Sequence, residues 1–283
     1  MKNWFLAARP KTLPAAIVPV WVGSAPALLT DRGGNWLLFW CTLFSCICIQ
    51  IATNLFNDAI DHRKGADTQK RIGPKRVTAT GLLSPKAVMI GAVWFCAAAA
   101  IFSLPMIQAR GWPIVAIGLV SLFFSYGYTG GPWPLAYRGM GEIFVILFFG
   151  FVAVIGSWFV QTGEWSDPLI WVVSLQCGMY SCVLIAINNL RDIDEDRESG
   201  KKTLAVRLGK TFSRWEIAFF SLTPVFLWFL IGMGGWRFAV NYRIIKGVFT
   251  NEPGKVYNKF LAMSAAQLMV FALFFTRWLL WDQ

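Results

Sequence analysis

The chain is a series of long apolar runs separated by short polar or basic segments. A membrane-spanning helix needs roughly twenty apolar residues. Runs of that length lie near 13–30, 36–56, 87–107, 112–130, 141–161, 168–190, 214–234 and 257–281. The pattern predicts an all-α, polytopic transmembrane helical bundle with eight clear spans, forming one integral-membrane domain over residues 1–283.

The segments between the runs alternate in charge. The amino terminus carries Lys2, Arg9 and Lys11. Residues 57–86 carry Arg63, Lys64, Lys70, Arg71, Lys75, Arg76 and Lys86, and residues 191–214 carry Arg191, Arg197, Lys201, Lys202, Arg207, Lys210 and Arg214. The intervening loops hold only Arg32 and Arg110, or no base at all around Glu164 and Asp167. Positive loops stay inside, so the amino terminus and the two basic segments are expected in the cytoplasm. The alternation fails after the seventh run, because residues 236–259 are basic again (Arg237, Arg243, Lys246, Lys255, Lys259). A further crossing is needed between Pro224 and Tyr242, where there is room for about one helix. Two expectations stand here. Either the seventh and eighth spans are short and broken at Gly232–Gly235, or most of a helix is missing.

Composition supports the membrane class. Of 283 residues, 56% are hydrophobic, and the mean hydropathy is +0.53. The net charge of +11 would suggest nucleic acid in a soluble protein. Here the bases sit between apolar runs, and membrane topology accounts for them, so no nucleic-acid partner is expected. Many of the fifteen tryptophans fall near run ends, as an interfacial belt requires. The six cysteines lie inside apolar runs without a CxxC pair and read as small buried hydrophobes. The single histidine, His62, cannot build a histidine-rich metal site.

The stretch ATNLFNDAIDHRKGAD at 52–67 puts two asparagines and three aspartates at the end of an apolar run. Charge at a membrane boundary is costly without a partner. Asn54, Asp58 and Asp61 are spaced i, i+4, i+7, and Asn188, Asp192 and Asp196 are spaced i, i+4, i+8, so each set shares one helix face. Eight of the fifteen acidic residues lie in these two segments, Asp67 among them. Two such faces brought together repel unless cations lie between them. Solvated helix ends would explain the charge, but not the repetition of an asparagine and two aspartates on one face. Carboxylate and amide oxygens suit Mg²⁺, which keeps few protein ligands and takes others from water and phosphate. The neighbouring bases Arg63, Lys64, Lys70, Arg71, Arg191 and Lys201 fit a diphosphate bridged to such ions. In an apolar cavity that diphosphate is expected to carry a polyprenyl tail. Phe56, Tyr126, Tyr128, Trp133 and Tyr137 are aromatic faces that can shield an allylic cation.

At these residues the sequence resembles the UbiA superfamily of intramembrane prenyltransferases. The first segment is similar to its NDxxDxxxD signature, and Asp192-Ile-Asp-Glu-Asp196 is similar to its DxxxD. Four further stretches resemble the 1,4-dihydroxy-2-naphthoate polyprenyltransferase branch: ARPKTLPAAIVPVWVGSA at 8–25, RIGPKRVTATGLLSP at 71–85, YTGGPWPLAYRGMGEIFVILFFG at 128–150 and NNLRDIDEDRESGKKTLAVRLGK at 188–210. The resemblance implies a bundle of typically nine spans around a lipid-open cavity, Mg²⁺ dependence, and transfer of a polyprenyl chain from its diphosphate to 1,4-dihydroxy-2-naphthoate with loss of CO2, in a bacterial cytoplasmic membrane. It implies that Asp58, Asp61, Asp192 and Asp196, with Asp67, hold the metal and diphosphate, and that Asn54, Asn57 and Asn188 position it. Lys11, and Arg138 with Glu142, are implied for the acidic naphthoate. The signature's last acid would fall at Gly65, and here the next acid is Asp67.

Other readings share parts of this pattern. A related enzyme with 4-hydroxybenzoate or homogentisate as acceptor would share the aspartates but not YTGGPxPLAYRG. A membrane cation transporter would place its carboxylates at mid-membrane on broken helices. A CDP-alcohol phosphotransferase would order its aspartates differently.

Overall fold

The computed structural model describes residues 2–30, 32–65, 72–74, 76–230 and 239–281. Every regular element among them is a helix. In chain order these are α1 (Lys2–Ala8), α2 (Pro14–Leu29), α3 (Trp36–Arg63), α4 (Pro85–Arg110), α5 (Trp112–Gly127) and α6 (Gly141–Val145). A π-helical stretch, Ile146–Val152, joins α6 to α7 (Ala153–Thr162). Then come α8 (Pro168–Arg191), α9 (Ile193–Glu198), α10 (Leu204–Leu230), α11 (Ala239–Thr250) and α12 (Tyr257–Trp281).

Local chemistry sets the helix ends. Asn35, Ser84 and Asp167 each cap a following helix by accepting backbone N–H bonds, at Leu37 and Leu38, at Ala87, and at Leu169 and Ile170. Proline occupies the first turn of α2, α4, α5 and α8, where its missing N–H costs nothing. Two breaks interrupt this regularity: Gly209 is non-helical (φ 85°, ψ 176°) and kinks α10, and Arg9 is a non-glycine residue at φ 50°, where α1 and the short turn after it bend 53° from α2.

Among the described residues five helices are long and apolar enough to cross a membrane, or six if the bent amino-terminal pair counts as one span. The expected eight are not reproduced on that measure. α5 is apolar but has 16 residues, and α10 carries Arg207, Lys210, Arg214 and Glu216 in its first half. The sequence deficit after Pro224 takes a definite form. α11 has 12 residues, about 18 Å at the helical rise, against a hydrocarbon core of about 30 Å. The side chain of Asn241, near its start, donates to the Ser221 carbonyl halfway along α10 at 2.7 Å. Near its end the Asn251 carbonyl accepts from Arg214 at 3.2 Å. Over its described residues α11 therefore runs back along α10 from Ser221 to Arg214. Gly232–Gly235 lie outside the described residues.

The bundle packs by close helix approach. α3 lies along α4, α2 along α7, α8 along α10 and the π-helical stretch, and α12 along α2 and α8. The largest buried cluster joins Val22, Val154, Trp158, Val173, Cys177 and Phe271 from four of these helices. All six cysteines are free, and four are buried. Gly150 and Gly178 face each other where α8 crosses the π-helical stretch, and a Cβ on Gly150 would lie 2.6 Å from the Ser174 carbonyl oxygen. Small residues permit this approach, which is the main source of helix affinity in lipid. Gly150→Leu is expected to lower stability by about 1–3 kcal/mol through overpacking, read as a lower thermal midpoint in detergent. An unchanged midpoint would show that the crossing opens at no cost.

Candidate functional site: a polar chamber above an apolar cavity

The acidic end of α3 divides its polar side chains among three tasks. Asn54 is buried and donates to the Ala8 carbonyl and the Thr12 hydroxyl, both at 3.0 Å, tying the bent amino-terminal helix to α3. Asn57 accepts from the Thr129 hydroxyl. Asp58, 1% exposed, does not present its carboxylate to a cavity as the sequence spacing suggests. Its oxygens accept from the backbone N–H of Val77 (3.2 Å) and Thr78 (3.3 Å) and from the Thr78 hydroxyl. Asp61 accepts from the Tyr137 hydroxyl at 2.8 Å, from Arg76 at 3.1 Å and from Lys201 at 3.3 Å. At about 100° per residue, Asp58 and Asp61 point about 60° apart around the helix. That is enough to send one side chain into the loop and the other into the chamber.

The end of α8 is organised by Arg191. Its buried guanidinium grips Asp192 through two bonds of 2.6 Å and also reaches Asn188 at 2.7 Å and Asn258 at 2.8 Å. A buried, bidentate pair of this kind fixes geometry as well as charge. Asp196, one turn on, lies 3.7 Å from Lys201. Lys201 thus joins Asp61 of the first acidic segment to Asp196 of the second. Glu195 accepts from the Ile72 N–H at 3.1 Å and closes the same rim.

These groups line a chamber of about 250 Å³ that contains Asn57 and Asp61 from α3, Asn188, Asn189, Asp192 and Asp196 from the second segment, and Lys201. Arg9, Thr12, Gln50, Arg76, Tyr128, Thr129 and Glu142 complete its wall. Glu142 is 3% exposed. One oxygen accepts from Asn189 at 2.8 Å, and the other has no partner. A second, apolar cavity of about 290 Å³ shares Ala15, Gln50, Asn57, Tyr128, Val145 and Phe149 with the chamber. It follows α3 from Asn57 to Thr42, about 22 Å at the helical rise. Phe124, Phe144 and Phe148 form one wall, and the π-helical stretch contributes Phe148, Phe149 and Val152.

Several residues expected at the site lie elsewhere. Lys11 and Arg63 are exposed and do not line the chamber. Arg138 is exposed and stacks on Trp133, with 3.8 Å between its guanidinium carbon and the ring centre, so it is separated from the buried Glu142. Arg191 acts through Asp192 and Asn188 and is not itself in the chamber wall. Asp67, Lys70 and Arg71 lie outside the described residues. Of the aromatic residues expected to shield a cation, Tyr128 sits at the junction of the two cavities. Tyr137 binds Asp61 and carries Lys64 over its ring at 4.1 Å. Phe56 packs edge-on against Tyr126. Partial burial holds the Lys64 ammonium below the usual lysine range, with Asp61 opposing that shift and Lys201 adding to it. Arg9, Gln50, Arg76 and Asn189 were not singled out from sequence as site residues, and Tyr137 was expected to shield a cation, not to bind Asp61. Arg9, Arg76, Tyr137 and Asn189 do stand inside the four stretches that carry the family resemblance, and Gln50 had no signal beyond its place in an apolar run.

The donor set fits a magnesium–diphosphate. Two carboxylates from separate segments converge on the single ammonium of Lys201, which marks a place where positive charge is required. Mg²⁺ takes one or two carboxylates from a protein and completes its shell with water and phosphate oxygens. Asp61, Asp192 and Asp196 are the aspartates that line the chamber.

The sequence matches the UbiA prenyltransferase family over residues 16–249. It is 35% identical over 216 residues to a 1,4-dihydroxy-2-naphthoate octaprenyltransferase of Haemophilus influenzae, covering 74% of this chain and 70% of that protein. It is 34% identical over 256 residues to the 1,4-dihydroxy-2-naphthoate octaprenyltransferase of Bacillus subtilis, covering 86% and 81%. The fold superposes on a UbiA homolog from Archaeoglobus fulgidus bound to GPP and Mg²⁺, with a TM-score of 0.67, 13% identity, and coverage of 98% of this chain and 99% of the other. The chain belongs to the UbiA prenyltransferase family.

Proposed function

We propose that this protein transfers a polyprenyl chain from polyprenyl diphosphate to 1,4-dihydroxy-2-naphthoate, in a bacterial cytoplasmic membrane, with the amino terminus and both acidic helix ends on the cytoplasmic side. One observation carries this reading. A chamber rich in carboxylates, amides and guanidinium groups opens onto an apolar cavity through Gln50, Asn57 and Tyr128. A ligand with a diphosphate head and an isoprenoid tail matches that change of polarity. The activity of the relatives, 1,4-dihydroxy-2-naphthoate octaprenyltransferases, supplies the acceptor.

Each part of the chain has a task in this reaction. Asp61, Asp192 and Asp196 would hold a Mg²⁺ ion, which when bound would supply positive charge to stabilise the departing diphosphate. Arg76 and Lys201, already bound to Asp61, are within the chamber to meet phosphate oxygens. The allylic C–O bond breaks with its electron pair going to the diphosphate. The ring carbon bearing the carboxylate then bonds to the terminal prenyl carbon. Loss of CO2 returns the electron pair to the ring, which regains aromaticity without losing a ring proton, and the released diphosphate takes up a proton from solvent. Tyr128, at the junction, presents its ring to the allylic carbon. Arg9 faces the same chamber beside Thr12 and Gln50, with a guanidinium suited to the acceptor carboxylate. Its left-handed backbone is the kind of strain that collects at ligand sites.

Purified protein incubated with a radiolabelled polyprenyl diphosphate is expected to prenylate 1,4-dihydroxy-2-naphthoate with Mg²⁺ and not with EDTA. Product with 4-hydroxybenzoate or homogentisate alone would keep the chemistry and replace the acceptor. No product, with cation uptake into vesicles instead, would favour a transporter. Asp61→Asn keeps a partner for Tyr137 but removes the charge, and kcat should fall at least about a hundredfold with the fold retained by circular dichroism. Asp58→Asn should act differently, weakening the charge-assisted bonds to Val77 and Thr78 by about 1.5–3 kcal/mol and lowering the thermal midpoint together with activity. A stable but inactive Asp58→Asn would return Asp58 to the head site. Arg9→Ala should raise the KM for naphthoate by about ten- to a hundredfold and change that for the diphosphate less. The reverse pattern would place Arg9 on the diphosphate.

A further inference from the structure

Two glycines in the wall of the apolar cavity have no structural reason to be glycine. Gly118 lies within α5 and Gly156 within α7. Neither adopts a left-handed backbone, unlike the helix-ending Gly111 and Gly163. Neither sits at a helix crossing, where a Cβ on Gly23 or Gly150 would strike a neighbouring backbone. A Cβ on Gly118 or on Gly156 meets nothing within 4 Å. Glycine inside a helix is less stable than alanine, so both positions forgo helix stability for no packing gain. What they leave is open space, and both border the apolar cavity.

Gly118 lies about 15 Å along α5 from Tyr128, and Cys46 about 16 Å along α3 from Asn57, at the helical rise; this sets a level well below the junction. Gly156 lines the same cavity from α7, beyond the π-helical stretch. Below that level Ile114, Met106, Val160 and Thr42 still line it, and the Thr42 hydroxyl lies 2.9 Å from the Met106 sulfur. An independent feature marks the upper end as a ligand site: the partnerless oxygen of the buried Glu142 in the polar chamber.

Resting on the prenyl-transfer reading, we propose that Gly118 and Gly156 determine the prenyl chain length that this protein accepts. The glycines keep a passage open toward Ile114, Met106 and Val160, and the isoprene units of the substrate tail that follow the first few pass through it. The substrate class is then a long polyprenyl diphosphate, not a short one whose tail ends above the glycines. A side chain at either position occupies the path of the tail beyond that depth and leaves the head site above it untouched.

The test compares kcat/KM for octaprenyl and geranyl diphosphate, with 1,4-dihydroxy-2-naphthoate as acceptor, in wild type, Gly118→Leu, Gly156→Leu and the milder Gly118→Ala/Gly156→Ala double variant. The octaprenyl-to-geranyl ratio is expected to fall at least about tenfold in each leucine variant, a size that pocket obstruction by a few carbons commonly produces. The alanine pair should shift the ratio in the same direction. It should also unfold at an equal or higher temperature, since alanine favours the helix. If the leucine variants do not fold, the alanine pair decides. An unchanged ratio, or an equal loss with both substrates in a folded variant, overturns the proposal. Wild type that turns over neither diphosphate overturns the prenyl-transfer reading itself. Wild type active on geranyl diphosphate alone keeps that reading and overturns the assignment of a long tail.

Discussion

Buried carboxylates in an apolar bundle must be neutralised, and the architecture of this protein follows from how that is done. A carboxylate taken out of water without a partner costs several kcal/mol. Four of them sit near the end of α3, at the end of α8 and in α9 with little exposure: Asp58, Asp61, Asp192 and Asp196. Each is partnered. Asp58 takes backbone N–H groups from the segment after residue 76, and Asp61 takes Arg76, Tyr137 and Lys201. Asp192 takes Arg191, and Asp196 shares Lys201. The basic segments that follow α3 and α9 are thereby folded back over the helix ends. They form the roof of the chamber because the acids hold them there. The arrangement also suits a magnesium–diphosphate, which brings both the cation that the acids require and the anion that Arg76 and Lys201 require.

Beneath that roof the change in polarity is abrupt. Gln50, Asn57 and Tyr128 belong to both cavities, and below them α3 contributes Ile49, Cys46 and Thr42. A ligand spanning this boundary is oriented by solvation alone, head up and tail down, before any specific contact forms. The reacting carbon of a prenyl diphosphate lies between its two halves, so on the proposed reading it would meet the boundary that Tyr128 lines. The π-helical stretch serves the same end. Its wider turn sets Phe148, Phe149 and Val152 on the cavity wall while Gly150 keeps contact with α8.

Much of this was legible in the sequence, for identifiable reasons. Helix periodicity and loop charge are local properties, and they located the helices, the acidic ends, and the faces carrying Asp61, Asp192 and Asp196. Spacing alone could not separate Asp58 from Asp61, because a rotation of about 60° decides between a loop and a chamber, and the loop's position depends on tertiary folding. Arg9 was overlooked in favour of Lys11 for a similar reason. A backbone break at φ 50° turns the chain within two residues and exchanges which base faces inward. The separation of Arg138 from Glu142 likewise depends on the stacking of Arg138 on Trp133, which no spacing rule encodes.

The short α11 shows how a bundle tolerates an incomplete wall. Its start lies beside the middle of α10, where Asn241 donates to the Ser221 carbonyl and accepts from Gln267 of α12. Polar groups at that depth are expensive unless satisfied internally, and this three-helix exchange satisfies them. Ile244 and Val248 on the same helix are fully buried against the cluster that includes Ile187, Ile217 and Phe260. The apolar cavity, by contrast, is lined by residues between Ala15 and Val160, and Leu261 of α12 is the chamber's single described lining residue after Thr203. The shortening therefore falls on the side of the bundle that neither cavity uses. What the site requires here is support for the back of α8; α10 and α12 supply it directly, and the half-helix α11 braces those two helices.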